Sequence, residues 1–451
     1  MLVSGLKYFS QLPDVRGMVL CSDGESVASI IRIDTKDAKG AAVQVTNLKT
    51  KSKKIVLYAD NTQHFVDRIY WKDKNLLIVE VHFPVESNVF DKIEYSQILV
   101  VNIENGEVDA IDRDMPNIVD TLPQDPEHLL LSVYPSSRYL GRPRSLKVVK
   151  VNIKSGAKKT IQAFKTRVYD WMTDHQHIVR AGFYIKDEIN ETIIKDIETD
   201  KWKSYWQFED FSSDRVVLIG FGLDPNIAYI QAYLDDRLAI FKVNLKDKNL
   251  KRELVYSSEK FDVRGSLIHS RKNNEAIGIA YTEDGGTEYF DPDLKKLQDQ
   301  VDKALAGKRN YIYSFSDNME KFLIFSTGPQ ESGTYFIGTR NPTKLDAIAY
   351  AYKDLVPEVL NTVKYVEYAA RDGLKIDGYL TLPKSKKASN LSTILLPHGG
   401  SIGRDNDGFD YWAQYLATKG YAVLQMNFRG SAGKGLKFRS VADTWRYGLR
   451  G

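Results

Sequence analysis

The feature that most constrains the fold is a loose repeat of short apolar runs over roughly the first 340 residues. Each run is rich in Val, Ile, Leu, Tyr and Phe and is bounded by Asp, Asn, Gly, Lys or Ser, a pattern typical of a strand followed by a turn. Residues 97–106 and 146–156 are the clearest pair of copies, with Asn102 and Asn152 in matching positions. Such a repeat predicts a fold in which one structural unit is used several times.

One unit consists of an aromatic-led strand, a polar turn, an apolar strand and an amphipathic strand that ends in a further polar turn. This is the pattern of a β-propeller blade, which takes roughly 40 to 50 residues for its four strands. Blade starts are placed near Val19, Val66, Thr121, Val168, Val216, Ser266 and Tyr311. The sequence therefore predicts a mainly β fold, with a propeller of about seven blades over residues 1–360. A large β-sandwich, or two unrelated all-β domains, is the alternative, because the repeat is weak and unevenly spaced.

One helix is predicted inside the β region. Asp291 suits the N-cap, Pro292 suits the first helical position, and Gly307 would end the segment. The apolar face consists of Leu294, Leu297, Val301 and Leu305. We expect this helix to pack against a blade.

Composition excludes several classes of protein. Lys and Arg total 63 against 59 Asp and Glu, and a net charge of +4 is too small for this length to suggest a nucleic-acid partner. Cys21 is the only cysteine, which excludes an intramolecular disulfide and any multi-cysteine metal site. No run of apolar residues is long enough to span a membrane, and residues 1–12 lack the pattern of a secretory signal. We expect no membrane association, and the sequence leaves cytoplasm and periplasm both open.

The composition changes near Val363. Residues 363–368 and 374–382 predict a hairpin, residues 393–396 predict a buried apolar strand, and residues 421–426 predict another strand. Between the last two strands, residues 409–419 predict a helix whose apolar stripe is Phe409, Trp412, Tyr415 and Leu416. Strand, crossover helix and strand form a βαβ unit, which requires a parallel sheet. Residues 361–451 are therefore expected to be the N-terminal portion of an α/β domain.

Two glycine-rich loops follow the two strands of this unit. The first contains His398, Gly399 and Gly400, and the second spans residues 427–433. In α/β-hydrolases, a loop in the first of these places offers a backbone N–H to the oxyanion, and glycine lets a substrate approach the backbone closely. A simple tight turn is the alternative. The second loop lacks the Gly-Lys-Ser/Thr spacing of a phosphate-binding P-loop.

The remaining motifs supply neither a complete serine triad nor a complete metal site. The literal G-x-S-x-G at residues 399–403 contains Ser401, but a nucleophile there needs a later acid and then a histidine, and no histidine follows His398. His175 and His177 are interpreted as solvated turn residues, because no third metal ligand accompanies them. We expect no metal and no cofactor.

Taken in order, these segments resemble the opening of the catalytic domain in the prolyl oligopeptidase family of serine peptidases. The resemblance is closest to the acylaminoacyl-peptidase and dipeptidyl-peptidase-like branch. Residues 363–383, 395–400 and 409–435 carry it, and residues 19–28 and 289–335 resemble the first and last parts of the family's propeller. The resemblance implies a propeller that caps an α/β-hydrolase domain.

It also implies a serine peptidase that hydrolyses short peptides through a Ser-His-Asp acyl-enzyme mechanism. His398, Gly399 and Gly400 would form the oxyanion loop, with Arg429 and Gly430 in a structural loop beside it. Ser401 stands where the family usually has proline after His-Gly-Gly.

The family's catalytic serine, aspartate and histidine would lie beyond Gly451, so the chain as written is expected to be truncated before them and inactive. A peptide substrate is the expected partner, and self-association into a homo-oligomer is allowed. A propeller-based binding protein without catalysis and an esterase on the same fold are the alternative functions.

Overall fold

The structure is a computed structural model that describes residues 6–86, 92–112, 116–134, 145–281, 286–400 and 403–440. Within these ranges, seven antiparallel sheets follow one another along the chain, and each is built from consecutive strands. A mixed sheet with a crossover helix comes last. The fold is a seven-bladed β-propeller followed by the first part of an α/β-hydrolase domain, which confirms the predicted fold class.

The blades have the following strands. Blade 1 contains β1 (Val15–Leu20), β2 (Ser26–Asp34), β3 (Lys39–Asn47) and β4 (Lys53–Ala59), preceded by the short helix α1 (Leu6–Phe9). Blade 2 contains β5 (Phe65–Trp71), β6 (Leu76–Glu86), β7 (Lys92–Asn102) and β8 (Val108–Asp112). Blade 3 contains β9 (Asn117–Asp120), β10 (His128–Val133), β11 (Lys147–Asn152) and β12 (Lys158–Gln162). Blade 4 contains β13 (Val168–Thr173), β14 (Val179–Lys186), β15 (Ile189–Lys195) and β16 (Trp202–Glu209).

The remaining blades follow the same order. Blade 5 contains β17 (Val216–Phe221), β18 (Ile227–Leu234), β19 (Arg237–Asn244) and β20 (Arg252–Tyr256). Blade 6 contains β21 (Gly265–His269), β22 (Ala276–Tyr281) and β23 (Gly286–Tyr289). Blade 7 contains β24 (Arg309–Phe315), β25 (Lys321–Gly328), β26 (Glu331–Thr339) and β27 (Lys344–Tyr350). Each predicted blade start lies within, or directly after, the first strand of its blade.

The repeated asparagines have a structural cause. Asn47, Asn102, Asn152 and Asn244 each end the third strand of a blade. In each, the side-chain Oδ1 accepts the backbone N–H two residues further on, at 2.9 to 3.1 Å. This Asx turn reverses the chain into the fourth strand, so the same residue type recurs at the same place.

The core of the propeller lies between blades. One apolar cluster joins each pair of neighbours around the ring, including blades 7 and 1. At that closing seam, Leu20 packs with Leu323 and Tyr335, and the Tyr313 hydroxyl donates to the carbonyl of Met18 at 2.9 Å. In the part of the chain that the structure describes, the ring therefore closes through packing and hydrogen bonds, and no strand is shared between the first and last blades.

The predicted helix inside the propeller is present as α2 (Pro292–Ala304). The Asp291 side chain caps it by accepting from the backbone N–H groups of Asp293 and Leu294, at 2.9 and 3.0 Å. The apolar face packs against blades 6 and 7, where Phe322 is wholly buried. The helix therefore serves the core, as expected.

The hydrolase segment forms a four-stranded sheet in the order β28-β29-β31-β30 with one helix. Its elements are β28 (Thr362–Ala369), β29 (Lys375–Leu382), β30 (Thr393–Leu395), α3 (Tyr411–Thr418) and β31 (Ala422–Asn427). β28 and β29 form the predicted antiparallel hairpin, and β30 runs parallel to β31, which confirms the βαβ unit. Ala413 and Ala417 of α3 pack on Val423 of β31.

Two details of this segment differ from the sequence prediction. The strand expected to be buried, β30, lies at the edge of the sheet, and Leu395 is 59% exposed because no described strand covers its outer side. The predicted apolar stripe of the helix is wrong at Trp412, which is 57% exposed. The small side chains of Ala413 and Ala417 are buried instead, since they let α3 approach the sheet closely. None of the helices in the described part of the chain has the length and apolarity that a membrane crossing requires.

Candidate active site

The two predicted glycine-rich loops meet at the edge of the sheet where β30 and β31 end. His398 Nε2 lies 2.8 Å from the hydroxyl oxygen of Ser431. The imidazole also stacks on the ring of Phe428, with centroids 4.4 Å apart and planes 17° apart. Because parallel neighbouring strands end at the same edge of a sheet, residues 33 positions apart form one site.

No motif in the sequence points to Ser431. Its contact with His398 raises the question whether Ser431 is a nucleophile. The side chain is wholly buried, at 0% exposed, so its oxygen has no path to a substrate. The pair therefore fixes the first loop onto the second. The serine lies within the second glycine-rich loop, which the sequence predicts from its glycines.

Gly399 and Gly400 follow His398 and are both exposed. Gly400 has φ +67, a conformation that glycine adopts without strain, and a Cβ added there would meet nothing within 4 Å. None of the hydrogen bonds among the described residues uses its backbone N–H. This N–H is thus available to a ligand. Ser401, which replaces the usual proline, lies outside the described residues.

The far side of the first loop is also attached to the second loop. The backbone N–H of Ala432 donates to the carbonyl of Gly403 at 3.1 Å, and that of Asp405 donates to the Asn427 side chain at 2.8 Å. Burial raises the pKa of the Asp405 carboxyl, and the nearby His398 opposes this change. The exposed glycines are therefore positioned from both ends by one neighbouring loop.

Arg429 and Gly430 anchor that second loop. The Arg429 guanidinium lies 2.7 Å from the carboxylate of Asp372, in the turn between β28 and β29. This hydrogen bond lowers the pKa of Asp372 below its usual range. Gly430 has φ +93, and its N–H donates to the carbonyl of Phe438 at 3.0 Å. Both residues shape the loop, and their part in any reaction stays a prediction.

A buried carboxylate lies beneath the loops. Asp377 of β29 is 1% exposed, and its two oxygens contact Lys434 Nζ at 2.6 Å and Asn427 Nδ2 at 2.9 Å. The guanidinium of Arg404 is 3.6 Å away. This group of residues joins the sheet to both loops. The sequence signal for it is the single acidic residue of β29.

A second buried carboxylate, Asp262 between β20 and β21, joins the hydrolase segment to the propeller. It is 2% exposed, and one oxygen accepts the backbone N–H groups of Gly433 and Gly435 at 3.1 and 3.3 Å. The other oxygen accepts the N–H of Leu238 in blade 5 at 3.1 Å. We call this set of contacts the Asp262 latch. It places the glycine-rich loops against blades 5 and 6.

Replacing Asp262 with Asn is expected to loosen the latch. Asn offers one carbonyl oxygen, so either Leu238 or the two glycines lose their acceptor, at a cost of roughly 1 to 3 kcal/mol for a buried unpaired group. We expect trypsin to cleave after Lys434 or Lys437 roughly tenfold faster, as measured by mass spectrometry of timed digests. Asp235→Asn removes the same charge from an exposed neighbouring turn and serves as the control. Equal cleavage rates in the two variants would contradict a role for the latch.

The two histidines that were considered as metal ligands, His175 and His177, lie in the propeller, away from this site. His177 is not a solvated turn residue, because its Nδ1 lies 2.9 Å from the carboxylate of Asp120 in blade 3. The carbonyl of His175 accepts from the side chain of Asn274 in blade 6, at 3.0 Å. Across the ranges that the structure describes, no group of three or more His, Cys, Asp or Glu side chains is arranged to hold a metal ion.

Comparison with known proteins adds independent evidence. A scan against models of protein families finds none that matches the chain. Dipeptidyl aminopeptidase BIII of Pseudoxanthomonas mexicana is 26% identical over 321 residues, which are 66% of this chain and 44% of that protein. Dipeptidyl peptidase family member 6 of Caenorhabditis elegans is 28% identical over 221 residues, which are 43% of this chain and 29% of that protein. The matched segment therefore spans less than half the length of either relative.

Solved structures agree on the fold. A chain from a structural and mechanistic analysis of two prolyl endopeptidases matches with a TM-score of 0.68 at 13% identity, covering 96% of this chain and 64% of that one. A puromycin-hydrolysing peptidase of Mycobacterium tuberculosis matches with a TM-score of 0.63 at 11% identity, covering 98% of this chain and 70% of that one. At these identities the likeness establishes a shared architecture.

Proposed function

We propose a serine peptidase function for the protein to which this chain belongs, and we assign the chain to the prolyl oligopeptidase family by its sequence relatives and its fold. The chain supplies the propeller and the leading part of the catalytic domain, approximately residues 1–360 and 361–451. The observation that carries the proposal is the meeting of the two loops through His398 and Ser431, which leaves Gly400 exposed, with a backbone N–H that no described residue uses.

In the proposed reaction, a serine attacks the scissile carbonyl of a peptide and a histidine transfers its proton to the leaving amine. The contribution of the described residues is to hold the carbonyl oxygen as it becomes negative. The N–H of Gly400 donates to that oxygen, and an N–H placed in advance stabilises the transition state without reorganising. The contacts of His398 and Asn427 keep the loop in place for this donation.

The position of the propeller supports short peptides as substrates. The Asp262 latch brings blades 5 and 6 into direct contact with the glycine-rich loops, so the propeller lies beside the site. A peptide must enter past the blades, which favours short and unfolded chains over folded proteins.

The test uses the protein as its gene encodes it. We expect turnover of short peptide amides such as dipeptide 4-nitroanilides, inhibition by a phosphonate probe, and no cleavage of a folded protein. The probe should label neither Ser401, which stands where the family usually has proline, nor Ser431, whose side chain is buried. Turnover of acetyl esters with inert peptides would identify an esterase instead. Peptide binding without turnover would identify a binding protein.

A further inference from the structure

Arg439 lies at the junction between the hydrolase segment and the propeller. It is 9% exposed, and its buried Nε has no hydrogen-bond partner among the described residues. Its guanidinium lies over the ring of Phe211, 4.8 Å from the centroid, and it is close to the hydroxyl of Tyr233 in blade 5. It forms no ion pair with any residue that the structure describes. A buried cation is therefore in contact with aromatic residues, and no carboxylate of the described residues pairs with it.

Phe211, in the turn between β16 and β17, supplies the ring under Arg439. Its φ is +67, a conformation that bulky side chains rarely adopt because of steric strain. Such strain persists where the surrounding structure needs the side chain in one orientation, and it concentrates at functional sites. The turn therefore presents an aromatic face to the guanidinium at a conformational cost.

A second arginine, Arg215, lies near enough to Arg439 for their positive charges to interact. Arg215 directly precedes β17, its guanidinium lies 5.3 Å from the centroid of the Phe208 ring, and its buried Nε also lacks a partner. Burial lowers the pKa of Arg215, and the charge of Arg439 lowers it further. The charge of Arg264 also lowers the pKa of Arg215, whereas the carboxylate of Asp210 raises it. Like Arg439, Arg215 has no ion pair within the described ranges.

Two neighbouring guanidinium groups in a partly buried site are unfavourable without an anion. Burial removes hydration, and the two positive charges repel each other. Contact with aromatic rings offsets only roughly 0.5 to 2 kcal/mol for each cation. A carboxylate is the natural complement, because each planar guanidinium can donate two parallel hydrogen bonds to it.

Arg439 is also close to the candidate active site along the backbone. The carbonyl of Phe438, the residue before Arg439, accepts the N–H of Gly430, and Gly430 is followed by the serine that binds His398. We propose that Arg215 and Arg439 bind a carboxylate group of the peptide substrate. This inference rests on the proposed function for the identity of the ligand as a peptide. The carboxylate is either the C-terminus of the peptide or an acidic side chain.

Binding is measured by isothermal titration on the chain of residues 1–451, which requires no turnover. The probes are Ala-Ala-Ala, its C-terminal amide, and N-acetyl-Ala-Glu-Ala amide, which carries only a side-chain carboxylate. We expect one of the two carboxylate peptides to bind roughly tenfold or more tightly than Ala-Ala-Ala amide. Whichever peptide shows the preference identifies the source of the carboxylate.

Arg439→Met and Arg215→Met should each abolish this preference and leave the affinity for the amide within twofold. Arg271→Met is the matched control, since Arg271 lies in an exposed turn of blade 6 and pairs with Asp317 at 3.8 Å. A thermal melt without ligand separates binding from structural support. Removing one of two repelling charges should leave Tm unchanged or higher, whereas losing a structural arginine would lower it.

The inference is overturned if both arginine variants keep the wild-type preference, or if neither carboxylate peptide binds more tightly than Ala-Ala-Ala amide and glutarate does not bind either. Glutarate serves as a probe that is not a peptide. If glutarate binds in an Arg439-dependent way while both carboxylate peptides fail to bind, the carboxylate site stands and the peptide function fails. If the protein as its gene encodes it does not turn over peptides while the binding preference stays intact, only the proposed function is contradicted.

Discussion

Replacing the backbone amide of Gly400 by an ester is expected to lower kcat of the peptidase by roughly 100- to 1,000-fold. Incorporating glycolic acid at this position deletes the N–H and leaves the chain free to adopt φ +67. The N–H is used mainly as the carbonyl oxygen becomes negative, so KM should change little. Steady-state kinetics on a dipeptide 4-nitroanilide would measure both quantities.

Proline is less informative at this position, because its φ is fixed near −65° and the loop would have to change shape. The same ester at Gly307 is a matched control. That glycine also has a positive φ, of +77, and open space around it, but it lies after α2 in the propeller. A kcat within about threefold of wild type for the Gly400 ester would show that another group holds the oxyanion.

Asp377→Asn is expected to destabilise the hydrolase segment by roughly 3 to 5 kcal/mol, the usual cost of breaking a buried ion pair from one side. The substitution keeps the shape of the side chain and leaves Lys434 and Arg404 without their shared negative charge. Native-state hydrogen exchange of the paired amides in β29 and β31 would report the change as a lower free energy of opening.

Asp372→Asn provides the comparison for this second prediction. It makes the same chemical change five residues earlier in the same hairpin, where the side chain is more than half exposed and pairs with Arg429. Exposed ion pairs contribute little to stability because water screens the charges, so exchange should hardly change. If the two variants behaved alike, Asp377 would not be the charge that joins the sheet to the loops.

Local signals in the sequence were sufficient to predict the propeller. The first strand of each blade contains at least one β-branched residue, and Asn102 and Asn152 recur because the same turn needs the same side-chain acceptor. The helix at Asp291 was predictable for the same reason, since capping depends on adjacent residues. These features depend on interactions over a few positions.

The errors and omissions arise where partners are distant in sequence. The apolar residues of β30 predict burial, but the exposure of Leu395 depends on whether another strand covers β30. Trp412 is more apolar than Ala413, yet close packing of helix on sheet selects the smaller side chain. Arg215 and Arg439 are more than 200 positions apart, and no periodicity links them to each other or to Phe211.

Because every blade is made of consecutive strands, the order in which the chain leaves the ribosome matches the order in which its sheets can form. Each hairpin pairs residues that are close in sequence, so a blade can assemble before the next has been synthesised. The seam is the exception, since Leu20 meets Leu323 only after about three hundred further residues have emerged. Until then, blade 1 has an unpaired apolar side, and during synthesis this side is the surface of the propeller most in need of a chaperone.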